Sequence, residues 1–356
     1  MTVYIICLVM ALLLCNVLNL LTPDRAFKNA ISCILLGVLL AGILGMRHPN
    51  MGIDLGYYRG YGYLESFQVL QRMSWGYILH LPAFLNYEFG YIWFNKFVSI
   101  FGSSPQTLLI GCSICSLLPI MYVFYKESTN VPFSYAIYIG LPCFIFLFSG
   151  LRQGIAIGLC FFSYLYIEKK RGLAFVVCIL LATAFHKTAL LCLCMYPFYY
   201  FTMQRKLRLW ITLPMLAGVF ILRVPLFAAL SHLVKSGGRV AEHNGSVTFL
   251  LVIVAIYILC SLLAKNDSKT NGLLNLVYCA CLCQCFGEIY QTAIRLGYYF
   301  MIFFTLLLPY TVNQLRNRPL GLFIKCITIG CFLSFAMWQL YTTSWAMAYP
   351  YSFFWQ

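Results

Sequence analysis

The chain has 356 residues, 62% of them hydrophobic and 9% charged, against roughly 45–50% apolar and about 25% charged in soluble domains, which excludes a soluble globular protein. A helix crosses the bilayer in about 20 apolar residues, so this length holds roughly a dozen spans and no large soluble domain. The formal charge of +15, from 24 Lys and Arg against nine Asp and Glu, would point to nucleic acid in a soluble chain. In a multi-span protein the bases first fix orientation, and no nucleic-acid partner is implied.

Apolar windows predict twelve helices, at 2–21, 27–46, 106–125, 133–148, 151–167, 172–185, 188–203, 209–228, 247–264, 272–288, 296–312 and 320–341. The first lacks a basic start and a small-residue cleavage site, so it reads as a retained span. The expected fold is an all-α polytopic membrane protein, a single integral domain over 1–356. The helices between 133 and 203 are short, and two of those pairs also read as hairpins that do not cross fully. The 17 cysteines lie mostly in apolar stretches, where a disulfide framework is not expected. Cys279, Cys281, Cys283 and Cys285 are spaced by two, which turns successive thiols about 200° apart on a helix and cannot close one metal site.

Alternate connections collect Arg25 and Lys28; Lys126; Lys169, Lys170 and Arg171; Arg205, Lys206 and Arg208; Lys265 and Lys269; Arg316 and Arg318. Such loops are cytoplasmic by the positive-inside rule, which puts both termini outside. The outer face then holds Arg47, Asp54, Arg59, Glu65, Arg72, Glu88, Lys96, Arg152, His186, Lys187, Arg223, Lys235, Arg239, Glu242, Glu288 and Arg295. Orientation does not explain these charges, and ionised groups facing lipid are costly, so an aqueous cavity is expected around them. Two outer connections stand out. Residues 47–105 form a long loop rich in Gly and Tyr, whose 87–101 stretch is amphipathic and suits an interfacial or re-entrant helix; residues 229–246 form the second.

Four segments could carry chemistry. Arg47 to Asp54 follows a helix directly and offers either a helix-end cap or a cation for an anion beside a carboxylate base. Leu151-Arg152-Gln153-Gly154 sets a guanidinium at a helix start, where the dipole disfavours it; either an anionic ligand or Glu88 or Glu288 repays that placement. Phe185-His186-Lys187-Thr188 is a basic turn on the same face, with His186 a structural residue or a base. Arg295, with Tyr298 one turn on, is an interface anchor or a ligand pair. The aromatic 345–355 stretch reads as a membrane-interface belt whose rings could also stack on sugars. No Walker motif, His-Glu-X-X-His or Asp-X-Asp is present in the sequence, so neither ATP drive nor a metal-dependent step is expected.

Taken in order, Arg47…Gly52-Ile53-Asp54…Tyr58, Glu88-Phe89-Gly90-Tyr91, Leu151-Arg152-Gln153-Gly154, Ala184-Phe185-His186-Lys187-Thr188, Arg295 with Tyr298, and Tyr349-Pro350-Tyr351 resemble the EpsG-like family of Wzy-type O-antigen and capsular polysaccharide polymerases. The resemblance implies a GT-C-like glycosyltransferase of the bacterial inner membrane. It would move a growing glycan from undecaprenyl diphosphate to a lipid-linked repeat unit on the periplasmic side, without cofactor, nucleotide or metal. It also implies a separate chain-length regulator as a partner. On this reading Asp54, His186 and Glu88 are the candidate catalytic residues, Arg152, Arg295, Arg47 and Arg239 bind diphosphate, and Tyr58, Gln153 and Tyr298 contact sugars. A lipid-linked oligosaccharide flippase and an O-antigen ligase are the rival readings; a flippase would show two-halves symmetry, and no internal repeat is evident.

Overall fold

In a computed structural model of the protein, residues 24–56, 62–80, 87–234, 246–343 and 346–356 are described, with Val9 and Val17. The expected span at 2–21 apart from Val9 and Val17, Tyr58, Arg239 and residues 235–245 of the 229–246 loop fall outside the described residues. Among those described the chain is helical, and the only extended pairing is a single antiparallel bridge between Arg47 and Phe353.

The α-helices are α1 (Arg25–Gly45), α2 (Tyr63–Arg72), α3 (Trp75–Leu79), α4 (Phe89–Val98), α5 (Pro105–Glu127), α6 (Val131–Gly140), α7 (Pro142–Ile145), α8 (Leu151–Glu168), α9 (Gly172–Phe185), α10 (Met195–Tyr200), α11 (Arg205–Ile221), α12 (Arg223–Val234), α13 (Ser246–Leu263), α14 (Ser268–Gln284), α15 (Gln291–Met301), α16 (Phe304–Asn313) and α17 (Arg318–Thr342). Local chemistry sets many of their ends. The Asp24 carboxylate accepts the Ala26 amide to cap α1, Ser104 precedes Pro105 at the start of α5, and Asp267 accepts the Thr270 amide to cap α14.

The apolar windows from residue 27 onward fall largely on helix. Among the described residues, which leave out the expected span at 2–21, five helical stretches are long and apolar enough to cross a membrane, or up to seven if each of two bent pairs is one span, against the eleven expected from residue 27. The window at 133–148 is α6 and α7 with the following turn, bent by 70°. Pro142 opens the second piece, and the residue before a proline is forced out of helical geometry. The window at 209–228 is α11 and α12, bent by 72°; Pro225 there lacks the amide that would bond back to Ile221. The window at 188–203 resolves into 3-10 turns over Lys187–Cys194 and the six-residue α10.

Two compact units divide the described chain. The first takes residues up to Leu193 together with Ile327–Gln356, and the second takes Cys194–Cys326. In the first, Leu55, Leu64, Phe67, Tyr91, Leu109, Leu151 and Ile155 share one core, which fixes α2 and α4 of the 47–105 connection against α5 and the start of α8. In the second, α14 is central; its Asn271 and Asn275 accept hydrogen bonds from the buried Arg208 at 3.1 and 2.7 Å.

The segment after α1 is tied down by Arg47, which is 1% exposed. Its Nη2 donates to the carbonyls of Phe148 at 3.0 Å and Leu147 at 3.4 Å, and the guanidinium lies 4.9 Å from the centre of the Phe148 ring. Gly52, at φ 128°, follows; a Cβ there would fall 1.9 Å from the Phe148 carbonyl oxygen. Replacing Arg47 by Met leaves two buried carbonyls without this donor, and a loss of about 3 kcal/mol is expected. Thermal unfolding of the detergent-solubilised variant checks it; an unchanged midpoint contradicts the tie.

Candidate active site

The site is built around one carboxylate. Glu88 is the N-cap residue of α4, whose next residue but one, Gly90, packs on the end of α9. A Cβ at Gly90 would sit 2.6 Å from the Ala184 carbonyl oxygen, so only glycine lets the two helices approach this closely. That approach brings Glu88 to the turn that ends α9. Its Oε1 accepts the Lys187 amide at 3.1 Å and lies 3.4 Å from His186 Nδ1. Its Oε2 accepts from Arg152 Nη1 in the first turn of α8. Of the two acids the sequence offered Arg152, Glu88 is the one that meets it.

Two tyrosines complete the surroundings of Arg152. The guanidinium carbon lies 4.6 Å from the Tyr87 ring centre and 5.7 Å from that of Tyr63, and Nε donates to the Tyr63 hydroxyl at 3.3 Å. The two rings stack with centres 5.6 Å apart. Neither was singled out from the sequence, where Tyr63 was one of several tyrosines in a Gly/Tyr-rich run; only the pairing of the two runs across the loop reveals them. Asp54, in the 3-10 turn Ile53–Leu55, is half-buried and close enough for its charge to act on both tyrosines. The structure thus gathers Asp54, Glu88, Arg152 and His186 in the first unit. Gln153 beside Arg152 is buried at 4% exposure, and Arg47 is engaged with backbone carbonyls as described.

Arg295 and Tyr298 lie on α15 in the second unit, Arg295 half-buried and Tyr298 buried. The same unit holds a further ion pair from the outer-face set, Arg223 to Glu288 at 3.2 Å, with the Arg223 guanidinium 4.1 Å from the Phe220 ring centre.

The electrostatics follow from the contacts. Burial pushes the Glu88 carboxyl up, but the His186 ring, the Lys187 amide and the Arg152 guanidinium outweigh it and hold the group down at about 2. Burial lifts the Tyr63 hydroxyl to about 12, with Arg152 opposing and Asp54 adding to the rise. Glu88 is therefore a fixed anion and a poor proton acceptor, while the exposed Lys187 carries no ion pair among the described residues. The set offers cations for an anionic leaving group, aromatic faces, and an imidazole backed by a carboxylate.

Exchanging Glu88 for Gln strands Arg152, and a loss of about 2 kcal/mol is expected, partly recovered in the Glu88→Gln, Arg152→Gln pair. Because the folded carboxyl is depressed, its stabilisation is complete above the ordinary carboxylate value of about 4.3 and fades as the pH falls towards 2. Unfolding midpoints of the parent chain, Glu88→Gln, Arg152→Gln and the pair at pH 7, 6 and 3 test this; a coupling that disappears already at pH 6 contradicts it.

The EpsG family matches residues 30–353. No curated protein and no solved structure matches. The matched region contains the whole Glu88 cluster, Arg47 and both tyrosines, as well as α15. With nearly the entire length covered, the chain belongs to the EpsG family of Wzy-type polysaccharide polymerases.

Proposed function

We propose that the protein elongates a polysaccharide at the Glu88 cluster, taking the growing glycan from a polyprenyl diphosphate and joining it to a hydroxyl of a lipid-linked repeat unit. The reading places the cluster on the periplasmic face of a bacterial inner membrane, within a GT-C-type enzyme. The observation that carries it is the Arg152 guanidinium held against one fixed carboxylate, Glu88, with the His186 imidazole on the other side of that carboxylate.

The step needs three things. The bond from the anomeric carbon to the diphosphate breaks with its electron pair on the departing oxygen, so negative charge grows on the leaving group. Arg152 supplies positive charge there without donating a proton, which is worth most in a site partly shielded from water. The acceptor hydroxyl must lose its proton as its oxygen bonds to the anomeric carbon. His186 accepts that proton at Nε2, since its Nδ1 faces Glu88, and Glu88 keeps the ring oriented and stabilises the imidazolium. Tyr63 and Tyr87 flank the guanidinium and hold it in place, and the half-buried Tyr87 ring offers a face to the sugar next to the diphosphate. The glycosyl diphosphate carries its own activation, so no nucleotide or metal enters this scheme.

Cells carrying Arg152→Ala are expected to retain an inserted protein and accumulate single-repeat glycolipid, with polymerisation down at least about 100-fold. Arg152→Lys, which keeps the charge and loses the planar fork, is expected to fall between them. A normal ladder of chain lengths in Arg152→Ala overturns the assignment. For the base, the acid limb of the rate against pH is expected to vanish in His186→Gln and persist in Asp54→Asn; the reverse pattern transfers the role to Asp54.

A further inference from the structure

A second concavity in the first unit is unlike the Glu88 cluster. A cleft of about 600 Å³ opens where residues 48–51, the last turn of α17 and residues 347–356 meet. His48, Asn50, Tyr341, Thr343, Tyr349 and Gln356 line it, and among the described residues no Lys, Arg, Asp or Glu does. Its volume lies within the range of roughly 300–1,000 Å³ typical of small-molecule sites.

The chemistry of the lining selects a ligand class. Tyr341 is 70% and Tyr349 40% exposed, and their ring centres lie 5.9 Å apart at an angle of 52°. Imidazole, amide and hydroxyl groups stand beside the rings. Aromatic faces interleaved with neutral hydrogen-bonding groups fit a molecule whose C–H faces alternate with hydroxyls, which is a sugar. With no charge on the lining, a phosphate finds no counter-ion there. Rings that only anchor a protein among lipid headgroups need no polar cleft between them.

The walls are preformed. The His48 amide donates to the Ser352 carbonyl at 2.8 Å, the Phe354 amide to the Met46 carbonyl at 3.0 Å, and the Tyr351 hydroxyl to the Ile43 carbonyl at 2.9 Å. His48 Nδ1 accepts the Asn50 amide at 3.2 Å, which in the neutral ring leaves Nε2 as a donor. Arg47, buried between these residues, pins the same segment to Leu147 and Phe148. The cleft also lies near the charged site along the chain. Asn50 and Asp54 are four residues apart, so their Cα atoms are separated by at most about 14 Å, a distance a few sugars bridge.

We propose that this cleft is a glycan subsite, which holds neutral sugars of the oligosaccharide while the diphosphate end docks at Arg152. The identity of the glycan as the lipid-linked repeat rests on the polymerase reading; the sugar chemistry of the cleft does not. Two functions would then be spatially divided, charge for the leaving group and neutral stacking for the chain.

The test uses the unaltered protein in detergent. The probes are the repeat-unit oligosaccharide, freed from its lipid diphosphate by mild acid, and inorganic pyrophosphate. Acylation of His48 by diethyl pyrocarbonate, followed by mass spectrometry, is expected to slow with the oligosaccharide and not with pyrophosphate. Binding of the oligosaccharide is expected to weaken about tenfold in Tyr341→Ala, the loss of one stacked ring, and to be retained in Arg152→Ala. No protection of His48 up to the solubility limit of the oligosaccharide, or equal protection by pyrophosphate, overturns the subsite. If the oligosaccharide protects His48 while Arg152→Ala polymerises normally, the subsite stands and the assignment of the reaction to Arg152 falls.

Discussion

The site depends on a carboxylate that three parts of the chain need at once. Glu88 sits at the head of α4, and burial alone would make its charge costly. Arg152 sits at the head of α8, where the helix dipole opposes a cation. The turn after α9 exposes the Lys187 amide and carries His186 beside it. Each feature is unfavourable alone, and together they compensate one another. The glycine at position 90 is what permits it, since any side chain there would hold α4 away from Ala184.

That arrangement explains how a polytopic helical protein assembles a polar site from short elements. α2 and α4 are too short to cross a membrane, yet they share a core with α5 and α8 and are as fixed as the long helices. The loop between residues 47 and 105 is therefore a scaffold for the polar residues. Its first part, from Arg47 to Asp54, runs between a neutral cleft and the charged cluster. A polymerase that grips a glycan carried on a diphosphate has use for both surfaces.

Helix positions were legible because long apolar runs are unambiguous, and the described windows from residue 27 are largely helical. Continuity is not legible in hydropathy: each bent pair is apolar enough to pass as one span, and Pro142 and Pro225 accompany the bends. Arg152, His186 and Glu88 stand out as charges that orientation does not require, but the contacts of Arg152 and the Lys187 amide with Glu88 join residues 64 and 99 positions apart, and nothing in the sequence distinguishes Glu88 from Glu288 as partner. Arg47 shows the converse limit. A helix-end Arg before an Asp reads either as a helix-end cap or as a cation for an anion, and its side chain turns inward to the Leu147 and Phe148 carbonyls. Side-chain direction, set by packing, decides between those roles. Tyr63 and Tyr87 were hidden for the same reason, being two rings among 26 tyrosines until the loop folds them together.

The central claim is that this chain breaks a glycosyl–diphosphate bond rather than carrying the intact lipid across the bilayer. The most direct measurement reconstitutes the purified protein in vesicles with the lipid-linked repeat unit alone and follows both products. The account predicts a ladder of lengthening glycans with one polyprenyl diphosphate released for each linkage formed, in the absence of any nucleotide. Intact lipid-linked repeat unit appearing in the opposite leaflet, with no ladder and no released polyprenyl diphosphate, would contradict it.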